Sequence, residues 1–168
     1  NAPPANKPAM YEAISQLRAL WAGTPVIYPN GSGKDVPVVT QPRPVSRELP
    51  IWVTTAGNPE TWAEAGALGT HVLTHLLGQS IDEVAEKIKI YREALVKAGY
   101  NPDAYKVTLM LHSFIADTRA EAREIARQPM KDYLNAAAGL IKHYAWSFPA
   151  FKRPKGVETP FELDLEIL

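Results

Sequence analysis

From Pro50 onward, short apolar runs alternate with longer stretches whose apolar residues recur every three or four positions. Pro50–Thr55 (PIWVTT), His71–Leu77 (HVLTHLL) and Tyr105–Ala116 (YKVTLMLHSFIA) read as strands, the third being the longest. Each is followed by a helix start. Asn58 stands at an N-cap with Pro59 at the first helical position, predicting a helix to about Leu68 that Gly69 ends. Ser80 and Glu83 form a capping box ahead of a helix over Ile81–Ala98, whose stripe Ile81, Val84, Ile88, Tyr91 and Leu95 is expected to lie on a sheet. Thr118 and Glu121 repeat the box before a last helix carrying Ala122, Ile125, Ala126, Tyr133, Leu134, Ala137, Leu140, Ile141 and Tyr144. Pro129 lies inside that pattern and predicts a kink or break.

Ahead of this region, Met10, Ile14, Leu17 and Trp21 mark a one-sided helix over Lys7–Ala22, closed by Gly23. Two β-branched runs around Asn30-Gly31-Ser32-Gly33 read as a hairpin with a flexible turn. The turn and Lys34 lack the GxxxxGK[ST] spacing of a phosphate loop, and no helix follows. Strands alternating with helices imply a parallel sheet with right-handed crossovers. We expect one partial domain over residues 3–168: helix, hairpin and connector (7–49), β-α-β-α-β-α (50–146), then an extended tail (147–168). Asn1 and Ala2 read as a vector remnant.

Composition narrows the function classes. Eighteen basic side chains balance eighteen acidic ones, so the surplus that favours a phosphate backbone or an anionic membrane surface is missing, and neither nucleic acid nor membrane is expected as a partner. There is no cysteine, hence no disulfide framework, thiolate metal site or cysteine nucleophile, which fits a cytoplasmic setting. At 168 residues the chain is too short for a closed (β/α)8 barrel, which takes roughly 250.

The segments WAGTPVIYP, PRPVSRELPIWVTTAGNPETW, GTHVLTHLLGQSIDEVAEKIKIYREA and VTLMLHSFIADT, in that order, resemble the luciferase-like flavin-dependent monooxygenases, in particular the branch embedded in nonribosomal peptide and polyketide synthetases. The resemblance runs from about Met10 to Tyr144. It implies an α/β fold that is part of a (β/α)8 TIM barrel: about three parallel strands, the fifth to seventh, with flanking helices after an N-terminal helix and hairpin. It also implies chemistry in which reduced flavin mononucleotide (FMN) and dioxygen oxygenate a small-molecule or carrier-protein-bound substrate, with a flavin reductase as the source of reduced flavin. Strands one to four and eight have no counterpart, so weak or absent flavin binding is expected of this segment alone. The alternative is a noncatalytic α/β module with an incomplete ligand site. Three strands with two open edges also predict a homo-oligomer.

In such a barrel the functional face lies at the carboxyl ends of the strands. That singles out Thr55, Ala56, Gly57 and Asn58 after the first strand and Thr74 in the second as a flavin wall. For the turn the alternative is a strand-to-helix connection and nothing more. His75 and His112 are candidates for proton handling, provided both reach one cavity. Alternation puts Val72, Thr74 and Leu76 on one side and His71, Leu73, His75 and Leu77 on the other. His71 and His75 lack a third ligand at a supporting spacing, so no metal site is expected, and a structural histidine remains the competing reading. Trp52, Trp62 and Tyr91 read as packing residues. Glu83, Glu86, Lys87, Lys89, Arg92 and Glu93 read as a solvated helix face.

Overall fold

The structure, a computed structural model, describes residues 5–143 together with 145, 155, 156 and 158. These fall into two compact units, up to Ile51 and from Trp52 onward. In the first, helix α1 (Asn6–Ala22) ends at Gly23, whose φ of +85° is available at little cost to a residue without Cβ. The Gly23 and Thr24 N–H groups then donate to the Leu20 and Ala19 carbonyls. Arg43 donates to the Leu20 and Trp21 carbonyls. Strands β1 (Val26–Pro29) and β2 (Asp35–Val38) pair antiparallel, Val26 opposite Val38. Asn30 Oδ1 ties the turn by accepting from the Ser32 and Lys34 N–H groups, each at 3.0 Å.

The second unit follows the predicted alternation: β3 (Trp52–Thr54), α2 (Pro59–Ala67), β4 (His71–His75), α3 (Ile81–Lys97), a 3-10 turn at Pro102–Ala104, β5 (Val107–Met110) and α4 (Arg119–Ile141). The sheet order is β3-β4-β5, all parallel, with Val53, Val72 and Val107 in register. Helices α2 and α3 cover the face that carries Val53, Val72 and Thr74, so the core is Val53, Trp62, Ala65, Val72, Val84, Tyr91 and Leu95. The Tyr91 hydroxyl donates to the Thr70 carbonyl at 2.7 Å, and burial pushes its pKa up to about 12 against a smaller opposing pull from Arg92. All three N-cap residues read from sequence accept a backbone N–H, but only Ser80 and Glu83 form the full reciprocal box; at Thr118 the half from its hydroxyl is seen. Asn58 accepts from the Glu60 N–H, Ser80 and Glu83 close a complete box at 3.1 and 2.7 Å, and Thr118 accepts from the Glu121 N–H.

Five expectations are corrected. The third strand stops at Met110 instead of continuing to Ala116, because Met110 pairs with His75, the last residue of β4, leaving the apolar run beyond it no ladder partner among the described residues. Of the kink or break expected at Pro129, the break is absent: helix α4 continues through it, and the single missing N–H does not stop it. In α3 the buried stripe is Val84, Lys87, Tyr91 and Leu95, with Ile81 exposed, so Lys87 belongs to the core-facing side and not to the solvated one. Arg92 likewise leaves the solvated set and donates to the Pro102 and Tyr105 carbonyls. Trp52 does not pack into the core: it is 43% exposed on the face opposite the helices. The expected tail, 147–168, lies outside the described residues except for 155, 156 and 158.

Candidate functional site at the carboxyl ends of the strands

Parallel strands bring their carboxyl ends to one rim. At the end of β3 the Thr55 N–H still donates to the Leu73 carbonyl at 3.0 Å, and the chain then turns through Ala56, Gly57 and Asn58 into α2. The Trp62 indole N–H donates to the Ala56 carbonyl at 2.9 Å, so a fully buried helix residue pins the turn. With that carbonyl occupied and the Asn58 side chain engaged as cap, what the turn offers a ligand is backbone. The N–H groups of Gly57 and Asn58 have no acceptor among the described residues. Among the described residues, no atom beyond Gly57 and its two chain neighbours lies within 4 Å of where a Gly57 Cβ would stand. The N-terminus of α2 adds the positive end of its dipole, a setting suited to an anionic or carbonyl oxygen.

Thr55 and Thr74 are both buried, on the side of the sheet that α2 and α3 cover. Thr74 has no exposed surface, and its hydroxyl accepts from Gln79 Nε2 at 3.0 Å. Strand alternation therefore makes Thr74 a support of the rim and removes it as a wall residue. Thr54, the residue before Thr55, is exposed on the open side.

His75 is on that open side too. Its Nδ1 accepts from the Leu77 N–H at 3.1 Å, which leaves the ring proton on Nε2. Nε2 has no partner among the described residues. His112, two residues past the end of β5, is exposed, and its ring meets Tyr133 of α4 at 4.6 Å. It lines a groove of about 560 Å³ with Phe114, Arg119, Arg123, Met130 and Tyr133. Among the described residues no hydrogen bond or ring contact joins His112 to His75, and the residues lining the His112 groove do not include His75; β5 ends at Met110, so His112 stands on an irregular segment.

His71 occupies the opposite end of β4. Its Nδ1 accepts from the Lys106 N–H at 2.9 Å, and its ring lies 4.3 Å from Trp52 and 5.4 Å from Tyr105. Burial, then the Lys106 charge, holds its pKa below the ordinary value. Among the described residues no group of three or more potential metal ligands converges.

Sequence reasoning missed Gln79 and Lys87. Lys87 is 8% exposed; its Nζ donates to Gln79 Oε1 at 2.8 Å, and Gln79 Nε2 donates to Thr74 Oγ1 and the His75 carbonyl. The available signal was position, since Lys87 follows Val84 by three residues and precedes Tyr91 by four.

The profile of the luciferase-like monooxygenase family matches residues 2–166, almost the whole chain. The chain belongs to this family. Its fold is shared with a monooxygenase, RslO1, of Streptomyces bottropensis, at 26% identity and a TM-score of 0.64 over 76% of this chain and 39% of that one. It is shared with the oxygenating constituent of 3,6-diketocamphane monooxygenase from Pseudomonas putida, solved in complex with FMN, at 17% identity and a TM-score of 0.58, covering 79% of this chain and 40% of that one. An F420-dependent secondary alcohol dehydrogenase in complex with an F420-acetone adduct gives 21% and 0.58, covering 76% and 38%. The luciferase-like chain thus spans about two fifths of the length of each of these structures. No curated protein is significantly similar to it. The expected α/β architecture, part of a luciferase-like barrel, is what the parallel sheet and these neighbours show.

Proposed function

We propose that this chain contributes part of an FMN-binding wall to a flavin-dependent monooxygenase, with the Gly57–Asn58 turn as the contact to a flavin oxygen and His75 as a polar donor on the same rim. Family membership supports the class of chemistry, and bound FMN supplies the reaction with dioxygen. The observation that carries the reading is the turn itself: two N–H groups at a helix N-terminus without an acceptor, and open space over Gly57, among the described residues. Thr55 and Ala56 hold that turn from behind, and Thr74 does the same for the end of β4. The His112 groove, with Arg119 and Arg123 at its edge, is the place we assign to substrate. A small molecule or a carrier-bound intermediate of natural-product assembly fits the branch that the sequence resembles, with a separate reductase supplying reduced flavin in the cytoplasm.

Gly57→Ala tests this reading. A Cβ there meets nothing within 4 Å, so the melting temperature should stay within a degree or two of the parent. A ligand lying against the backbone would meet the new methyl, and FMN affinity should fall at least tenfold, about 1.4 kcal/mol. Flavin fluorescence quenching reads the affinity. Equal quenching curves for parent and variant would remove the turn from the flavin site. Affinity of the parent is itself expected to be weak, since three strands leave a bound ring partly solvated.

A further inference from the structure

A buried lysine on the far side of the sheet has no carboxylate partner among the described residues, although burying a cation is costly unless it is paired or well hydrogen-bonded. Its one acceptor among the described residues is Gln79 Oε1. An ammonium group has only donors, so it dictates which way the Gln79 carboxamide faces: oxygen toward Lys87, NH2 toward the strand end. The NH2 group then donates to both the Thr74 hydroxyl and the His75 carbonyl. These bonds bracket the turn from His75 to Gln79, which passes through Gly78 at a φ of +72°. In that turn the Leu77 N–H reaches His75 Nδ1. These bonds therefore tie Lys87, on the helix side of the sheet, to the turn that holds the His75 ring, whose Nδ1 is taken by the Leu77 N–H and whose Nε2 has no partner among the described residues.

We propose that Lys87 and Gln79 are positioning residues that fix His75 as the Nε2–H tautomer, with that N–H offered to an oxygen acceptor of the ligand at the rim. The proposal rests on the reading of the rim as a ligand site. Without Lys87, the Gln79 carboxamide is free to turn over, its NH2 leaves the His75 carbonyl, and the Leu77 N–H loses its fixed aim. The imidazole then divides between its two neutral tautomers.

Long-range proton–nitrogen NMR of the histidine rings, at about pH 8 where imidazole is neutral, reads the tautomer directly and needs no bound flavin. The parent should show His75 in one form, protonated at Nε2. Lys87→Met and Gln79→Ala should each show mixed tautomers, with Leu77 amide exchange faster by about five- to tenfold as its hydrogen bond loosens. Gln79→Glu guards against misfolding, because it keeps the size and a partner for Lys87 but removes the donor to His75; it should behave like Gln79→Ala. Thr74→Ser retains the hydroxyl and should match the parent. A single Nε2–H tautomer and unchanged Leu77 exchange in folded Lys87→Met and Gln79→Glu would overturn the proposal. If FMN at saturating concentration fails to shift the His75 ring signals of the parent, the flavin reading of the rim fails, whereas the tautomer result still decides whether Lys87 and Gln79 hold the ring.

Discussion

His71 acts as a joint in the fold. Its neutral ring accepts the Lys106 N–H and lies against Trp52 and Tyr105, so protonation would turn an acceptor into a donor facing a donor. Because burial and Lys106 lower its pKa in the folded state, the unfolded chain binds the proton more readily. The stability this residue contributes is complete above the ordinary histidine value of 6.5 and drains away as pH falls below it toward the lowered folded value. We expect His71→Asn, whose Oδ1 can still accept from Lys106, to flatten this part of the stability curve between about pH 7.5 and 5. Denaturant midpoints measured across that range check it, and parallel curves for parent and variant would count against the assignment. The other residue-scale lesson concerns Thr74. Its place on β4 was legible, but the side of the sheet that meets the helices was not, and that side decides between wall and support.

At the scale of elements, the helix ends were the most legible part of the chain, because a cap is a contact between residues two or three positions apart. Ser80 and Glu83 are the clearest case, and Ser80→Ala should lower unfolding free energy by about 0.5–2 kcal/mol. An unchanged denaturation midpoint would show that the box adds nothing to α3. The approach of α2 to α3 was not legible, since it depends on residues nearly thirty positions apart in sequence. Gly66 permits it. A Cβ there would stand 2.6 Å from the Tyr91 carbonyl oxygen and 2.8 Å from Ala94 Cβ. Gly66→Ala gains helix propensity of roughly 1 kcal/mol, yet in this contact it should destabilise by about 1–3 kcal/mol net. Thermal melting gives the sign directly: a stabilised variant would mean that the two helices part without cost. The end of β5 belongs to the same class, because Leu111, Phe114 and Ile115 continue the apolar run but have no ladder partner among the described residues.

For the molecule as a whole, the sheet leaves one edge of β3 and one of β5 without a ladder partner among the described residues, and its open face exposes Trp52 and Met110. Such edges and faces favour association. Light scattering over a concentration series should therefore show a mass that rises above 18.5 kDa, and a constant monomer mass would set the expected homo-oligomer aside. By itself the sequence determined the alternation of strands and helices, the caps, the hairpin and the parallel sheet, since periodicity and capping are local and the crossover rule follows from them. It also carried the family, through ordered segments such as PIWVTTAGNPETW and HVLTHLLGQS. Only the tertiary structure decided that Thr74 looks toward α3, that His112 lies beyond the end of β5, that Trp52 is exposed and that Lys87 is buried on Gln79. Each of these depends on which face of an element meets which neighbour, a relation between distant residues that no local pattern encodes.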